Sequence, residues 1–317
     1  MKAKTIFIAT LAAAVLAACN NDENNVIDSG SSQATFTASI DGQVNTRAYD
    51  QTWETDDAIG ISGTSGGTTY TNVQYVTTGG NGNFTAGTQG NEIYYQDDNS
   101  VIFTAYYPWT NLAADAITIT ADTRAQASQN DFDFLWSQQT GSKVSPNVQF
   151  LFAHKMVKLV LTIRKGDGVS YQEVQDAVLS LGGFRNNGSF NVTDGTTSTA
   201  DDLATDWTFA GNTTETGYNA PSSKDDAAET VAYTLILFPQ EFSSPLPITA
   251  ITGGQSFSAT LDFTAANVDA GDTDAKNEWV AGRQYNLSVT LHKTGITVNG
   301  STIQGWEEAD GGNVVID

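Results

Sequence analysis

The stretch Val157-Lys158-Leu159-Val160-Leu161-Thr162-Ile163-Arg164-Lys165 decides the fold class. In an extended chain Val157, Leu159, Leu161 and Ile163 fall on one face, and Lys158, Val160 and Thr162 on the other, because successive strand side chains alternate. A helix would scatter the same residues around its circumference. The period of two recurs outward in both directions. Phe36, Ala38 and Ile40 alternate with Thr and Ser, and Val101, Phe103, Ala105 and Tyr107 alternate with Ile102, Thr104 and Tyr106. Near the end, Tyr285, Leu287, Val289 and Leu291 alternate with Asn286, Ser288 and Thr290. The run Val231-Ala232-Tyr233-Thr234-Leu235-Ile236-Leu237-Phe238 is apolar throughout and reads as a strand buried on both faces. Only Val174, Ala177, Val178 and Leu181 fit helical spacing, and Ala177 to Phe184 reads equally as a strand. Asn299-Gly300, between Ile296/Val298 and Ile303, predicts a type I′ hairpin turn.

Short strands joined by Gly, Thr, Asn and Asp turns predict an all-β protein built of antiparallel β-sandwiches. At 317 residues one sandwich would be oversized, so two in tandem are expected. The division is placed at Lys165-Gly166-Asp167-Gly168, giving 34–165 and 166–317. The polar, acidic stretches 193–206 and 210–230 read as surface excursions, since strands resume after each.

Composition excludes much. Thirty-six acids against 14 bases give a net charge of −22. Nucleic acid is therefore excluded as a partner, because binding it needs clustered Lys and Arg to replace phosphate counterions. A basic membrane-surface helix is excluded on the same ground. One Cys allows neither an internal disulfide nor a Cys-based zinc cluster. The two His, His154 and His292, sit in strand-like sequence, and without a Gly-x-Ser-x-Gly elbow they suggest no catalytic triad.

Acids cluster at Glu54/Asp56/Asp57, Asp97/Asp98, Asp201/Asp202/Asp206, Asp269/Asp272/Asp274 and Glu307/Glu308/Asp310. A glycosidase acid must be buried to raise its pKa, whereas these lie among Gly, Thr and Asn in stretches expected to be exposed. They read as a solvated acidic surface. Asp269 to Asp274 is the best calcium candidate but lacks EF-hand spacing. Gly79-Gly80-Asn81-Gly82 has neither the Lys nor the following helix of a phosphate loop and reads as a turn. No catalytic residue, metal or cofactor is expected. Six Trp invite sugar stacking, so the rival reading is a surface-anchored glycan-binding lipoprotein. Against it, Trp in sandwiches more often packs in cores and at edges.

Residues 1–18 have the form of a signal peptide, with Lys2 and Lys4 before an apolar run and small residues at its end. Leu16-Ala17-Ala18-Cys19 resembles a bacterial lipobox, in which Cys19 is lipidated. That role explains why the single Cys stands there. Asn20-Asn21-Asp22-Glu23 resembles the surface-export signal of Bacteroidetes lipoproteins, and 19–33 is expected to be a flexible tether.

An ordered set of segments then carries a resemblance. It runs from Asn45-Thr46-Arg47-Ala48 through Thr52-Trp53-Glu54-Thr55-Asp56-Asp57-Ala58-Ile59-Gly60-Ile61 to Val101-Ile102-Phe103-Thr104-Ala105-Tyr106-Tyr107-Pro108. It continues with Phe150-Leu151-Phe152-Ala153-His154-Lys155, Ala281-Gly282-Arg283-Gln284-Tyr285-Asn286-Leu287 and Ile303-Gln304-Gly305-Trp306. This order resembles the fimbrillins, the type V pilins of Bacteroidetes. The resemblance implies two transthyretin-like sandwich domains and a non-enzymatic shaft or tip subunit of a pilus that supports adhesion. It implies a lipid-anchored precursor at the outer membrane and an Arg-specific protease acting at Arg47–Ala48. Cleavage would remove the strand 34–47, whose Phe36, Ala38 and Ile40 fill a groove, and other pilin subunits would be head-to-tail partners. Val314-Val315-Ile316, joined by the hairpin from Ile296 to Ile303, is the implied donor strand.

Overall fold

The computed structural model describes residues 32–41, 52–200, 207–209, 220, 222–269 and 271–306. Its first half contains ten strands: β1 (Ser32–Gln33), β2 (Thr35–Ile40), β3 (Asp57–Ser65), β4 (Thr68–Thr77), β5 (Asn83–Ala86), β6 (Tyr94–Tyr95), β7 (Val101–Tyr107), β8 (Thr118–Asp122), β9 (Leu135–Gly141) and β10 (Asn147–His154). Seven of these close into a barrel in the order β10-β2-β5-β4-β3-β7-β9. Its interior is filled by the residues that alternate inward, among them Phe36, Ile59, Ile61, Tyr75, Phe103, Ala105, Phe150 and Phe152.

The second half begins with β11 (Val157–Lys165), β12 (Val178–Leu181), β13 (Asn187–Asn191), β14 (Thr197–Thr199), β15 (Trp207–Phe209), β16 (Ser222–Asp225) and β17 (Thr230–Leu237). It ends with β18 (Gln240–Glu241), β19 (Leu246–Thr252), β20 (Gln255–Leu261), β21 (Glu278–Trp279), β22 (Arg283–His292) and β23 (Gly295–Gly305). One sheet runs β16-β17-β11-β22-β23 and another β15-β12-β19-β20. Val157, Leu159, Leu161 and Ile163 from the first sheet meet Leu179, Leu181, Ile248 and Ala250 from the second in one apolar core. This is a sandwich, and the all-β expectation holds.

Four local expectations are refined. First, two long pairings are parallel, β2 with β10 and β11 with β22, whereas antiparallel order was expected throughout. Second, β11 pairs with β17 and β22 and buries its apolar face in the second-half core. It therefore packs with the strands that follow the expected division at 165/166. Third, the ambiguous stretch after residue 170 is both helix and strand. Tyr171–Gln175 forms a short helix, α1, closed by a capping box of Ser170 and Glu173, and β12 follows. Fourth, Asn299-Gly300 is not a hairpin turn. The ladder from Arg283↔Gly305 to His292↔Gly295 continues past it with a shift at Leu287/Ser288, so the dipeptide forms a bulge.

A third apolar cluster joins the halves. Tyr106, Ile119, Phe132 and Phe134 from the first half meet Phe190, Val192, Ile236, Phe238 and Trp306 from the second, with Met156 between them. Phe134 and Phe190 stack at 4.6 Å, and β8 pairs with β13. Gln126, fully buried, stitches this junction. Its amide NH₂ donates to the carbonyls of Thr123 and Ile236, and its Oε1 accepts the Ile236 N–H at 3.0 Å. A side chain thus takes the place of a neighbouring strand beside β17. Replacement Gln126→Leu fills similar volume but leaves the Ile236 N–H and C=O unpaired. Buried groups left so cost about 1–3 kcal/mol each, so urea unfolding should show a loss of about 2–6 kcal/mol at an unchanged m-value.

Candidate functional site

The first strand is held on both sides. Ser32 and Gln33 pair with Tyr95 and Tyr94. The Ala34 N–H donates to the Ile93 carbonyl at 2.9 Å, and the Thr35 N–H to the Pro146 carbonyl at 3.0 Å. From Thr35 to Ile40 the strand runs parallel to Asn147–Phe152, while Phe36 and Thr37 face Phe84 and Asn83 of β5 across an antiparallel pairing. The Asp41 N–H donates to the Phe152 carbonyl at 2.7 Å. The strand therefore fills a slot between β10 and β5.

Its inward side chains plug that slot. Ala34, Phe36 and Ile40 are buried, and Ala38 packs against the same core. Phe36 is the anchor, with its ring edge-on to Tyr75 at 4.9 Å and to Phe103 at 5.4 Å, and stacked on Phe150 at 5.8 Å. These separations lie in the favourable range for aromatic pairs. Trp53 closes the far end, donating its indole N–H to the Ala38 carbonyl at 2.9 Å. The Tyr75 hydroxyl accepts the Ile93 N–H, and burial pushes its pKa up to about 12, so it stays protonated. The Thr37 hydroxyl oxygen is buried with no hydrogen-bond partner among the described residues.

One glycine makes the close approach possible. Gly82, at φ +75°, accepts the Ala38 N–H on its carbonyl at 2.8 Å. A Cβ there would lie 2.2 Å from the Ala38 oxygen. Gly79-Gly80-Asn81-Gly82 is a turn, as expected, and it also shapes the slot.

Below Ile40 and Trp53 lies a small polar space of about 30 Å³, lined in part by Glu54, Asp57, Tyr107 and Asp133. The Glu54 N–H and the Tyr107 hydroxyl donate to the two oxygens of Asp57 at 2.6 and 3.0 Å. Burial nonetheless raises the Asp57 pKa, outweighing these bonds, and burial also pushes the Tyr107 hydroxyl up. Asp57 thus departs from the exposed acidic surface expected of it. The space admits about one water and no sugar ring. His154 is buried, with Nδ1 3.0 Å from Asp133 Oδ1 and its ring stacked 3.7 Å from Trp306. Its Nε2 has no hydrogen-bond partner, so no hydroxyl nucleophile is in reach among the described residues. His292 Nδ1 accepts the Asp167 N–H.

The remaining candidates distribute simply. Around Asp269–Asp274 the bonds run within the loop, as from the Asp274 N–H to Asp272. Among the described residues no three His, Cys, Asp or Glu gather to hold a metal. Trp53, Trp279 and Trp306 are buried, and Trp109 and Trp136 pack against the junction cluster. Cys19, Arg47, Ala48, Asp201, Asp202, Asp206, Glu307, Glu308, Asp310, Val314, Val315 and Ile316 lie outside the described residues. The slot residues Tyr75, Gly82, Phe84 and Phe150 were not singled out in the sequence as groove residues. Their signal, aromatic or glycine in strand-like context, is common to the whole chain.

Comparison with known proteins places this architecture. A family model described as fimbrillin-like matches residues 46–306. A Bacteroides uniformis protein named "Putative fimbrium subunit Fim1C" is 30% identical, with 98% of each chain covered. A solved structure of a "putative cell adhesion protein" from Bacteroides uniformis is 27% identical, covering 86% of this chain and 99% of its own, with a TM-score of 0.65. Another, from Bacteroides ovatus, shares the fold at 21% identity and a TM-score of 0.67, covering 91% of this chain and 100% of its own.

Two outcomes test the slot. Phe36→Ala should lower unfolding free energy by about 3–5 kcal/mol in a denaturant titration, the range for emptying a buried aromatic site. For Asp57 the folded pKa lies above the unfolded one, so this carboxyl favours the native state at low pH and disfavours it as pH rises through the folded pKa. Wild-type stability measured relative to Asp57→Asn should therefore improve from pH 7 toward pH 4. A flat or opposite trend would contradict burial as the dominant influence.

Proposed function

The chain belongs to the fimbrillin-like family, and from that premise we propose that it is a shaft or tip subunit of a surface fimbrium assembled by strand exchange. The precursor is exported and lipidated at Cys19, which tethers it to the outer membrane. An Arg-specific protease cuts Arg47–Ala48, and a neighbouring subunit supplies the strand that takes the vacated place. The role is structural and supports adhesion without a catalytic step.

One observation carries this reading. The strand that seals the barrel, together with the short β1, precedes every other described element, so one backbone cut behind it leaves it attached to the rest of the fold only by non-covalent bonds. Its loss would expose unpaired N–H and C=O groups on β10 and β5 beside an aromatic pocket. Such an edge is a template for an added strand. A subunit that accepts a strand on one surface and donates one from another makes a heterologous contact, which generates open filaments.

The test is limited digestion of the folded, unlipidated chain with an Arg-specific protease, read by intact mass and SDS-resistant laddering. Selective cutting at Arg47 and loss of the 1–47 fragment are the expected outcomes, with an SDS-resistant ladder once a subunit that supplies the replacing strand is added, and Arg47→Ala abolishes all three. A cut chain that keeps its first strand and remains monomeric would instead favour an anchored, unpolymerised lipoprotein.

A further inference from the structure

We infer that the strand replacing β2 brings a large aromatic side chain to the register of Phe36 and comes from a different subunit, not from a second copy of this chain. The inference rests on the strand-exchange reading and specifies its partner.

The slot is shaped for a repeating size order. Ala34, Phe36, Ala38 and Ile40 enter it in turn, small, aromatic, small and branched. The aromatic position is enclosed by Tyr75, Phe103 and Phe150, three rings that all pack on Phe36, so a smaller side chain there leaves core space unfilled. The backbone path beside it is constrained as well. Gly82 lies so close to the Ala38 carbonyl that the backbone of any occupant must pass at the same depth.

This chain's own donor segments do not match. Neither the stretch from Ile296 to Ile303 nor Val314-Val315-Ile316 contains an aromatic residue. The one aromatic between them, Trp306, is buried at the junction and stacked on His154. The earlier segment is also paired along its length with β22, so freeing it would break that ladder. Either segment would leave the Phe36 position partly empty, and an unfilled core site is strongly unfavourable. The resident strand itself is improvable at Thr37, whose buried hydroxyl finds no partner among the described residues. An incoming strand with Val at that register removes an unsatisfied polar group.

The experiment uses the full unlipidated chain with a unique protease site inserted between residues 43 and 44. After cleavage it is challenged with synthetic peptides, and displacement of the resident strand is followed by native mass spectrometry. The peptides are Ser32–Ile40, its Phe36→Ala and Thr37→Val forms, one spanning 296–303 and one spanning 307–317. The parent peptide should exchange in, the Thr37→Val form should compete better, and Phe36→Ala should bind about a hundredfold or more weakly. The 296–303 and 307–317 peptides should not displace the strand. Equal binding of the Phe36→Ala form, or displacement by either C-terminal peptide, overturns the inference while leaving strand exchange intact. If nothing displaces the strand from the folded chain, strand exchange fails. Refolding the cleaved chain from guanidinium with each peptide in excess then still decides the pocket's selectivity by the same ranking.

Discussion

The barrel of the first half depends on one plank. β2 bonds to β10 on one side and to β5 on the other, and without it the ring of strands is open. Neighbouring features are arranged around its presence. The Trp53 indole is bound to its carbonyl, Gly82 is bare to let it pass, and Phe36 completes a cluster of four rings. Backbone pairing and apolar burial coincide along the same six residues, so the strand's attachment is all or none in character.

The second half contrasts with this. Its main core lies between two sheets that exchange no strand with the barrel, and β11 is bonded along its whole length on both edges. The two halves meet through Phe134, Phe190, Met156 and Trp306, through the β8–β13 pairing, and through Gln126 and Gln129 bound to the backbone of β17. None of these junction groups uses β2. Opening the slot therefore disturbs the barrel's seam without touching what joins barrel to sandwich.

The alternation of Phe36, Ala38 and Ile40 was legible because inward and outward positions of a strand differ every second residue, whatever the strand's neighbour. Strand direction was not legible, for the period of two is the same in parallel and antiparallel ladders. Asn299-Gly300 misled because a dipeptide suited to a tight turn is equally suited to a bulge, and only the partner β22 distinguishes them. Asp57 looked exposed among Glu54, Thr55 and Asp56, yet its burial is set by Tyr107, fifty residues on. The glycines after Lys165 mark the end of a strand and not the limit of its core, since what a strand packs against is decided by distant sequence. The groove lining failed for the same reason: Tyr75, Phe103 and Phe150 are ordinary strand aromatics until three separate strands bring them around one ring.

The parallel register of β2 on β10 has a mechanical side. The bonds between the two strands are evenly spaced and slanted, as in any parallel pair, and are spread from Thr35 to Ile40. A pull directed along the strand axis loads these bonds together in shear, whereas a pull across it would open them one after another like a zip. A strand lying in this slot and tugged lengthwise must slide Phe36 past Tyr75, Phe103 and Phe150 before any bond is fully free. The slot is thus oriented to resist tension along the axis of the strand it holds.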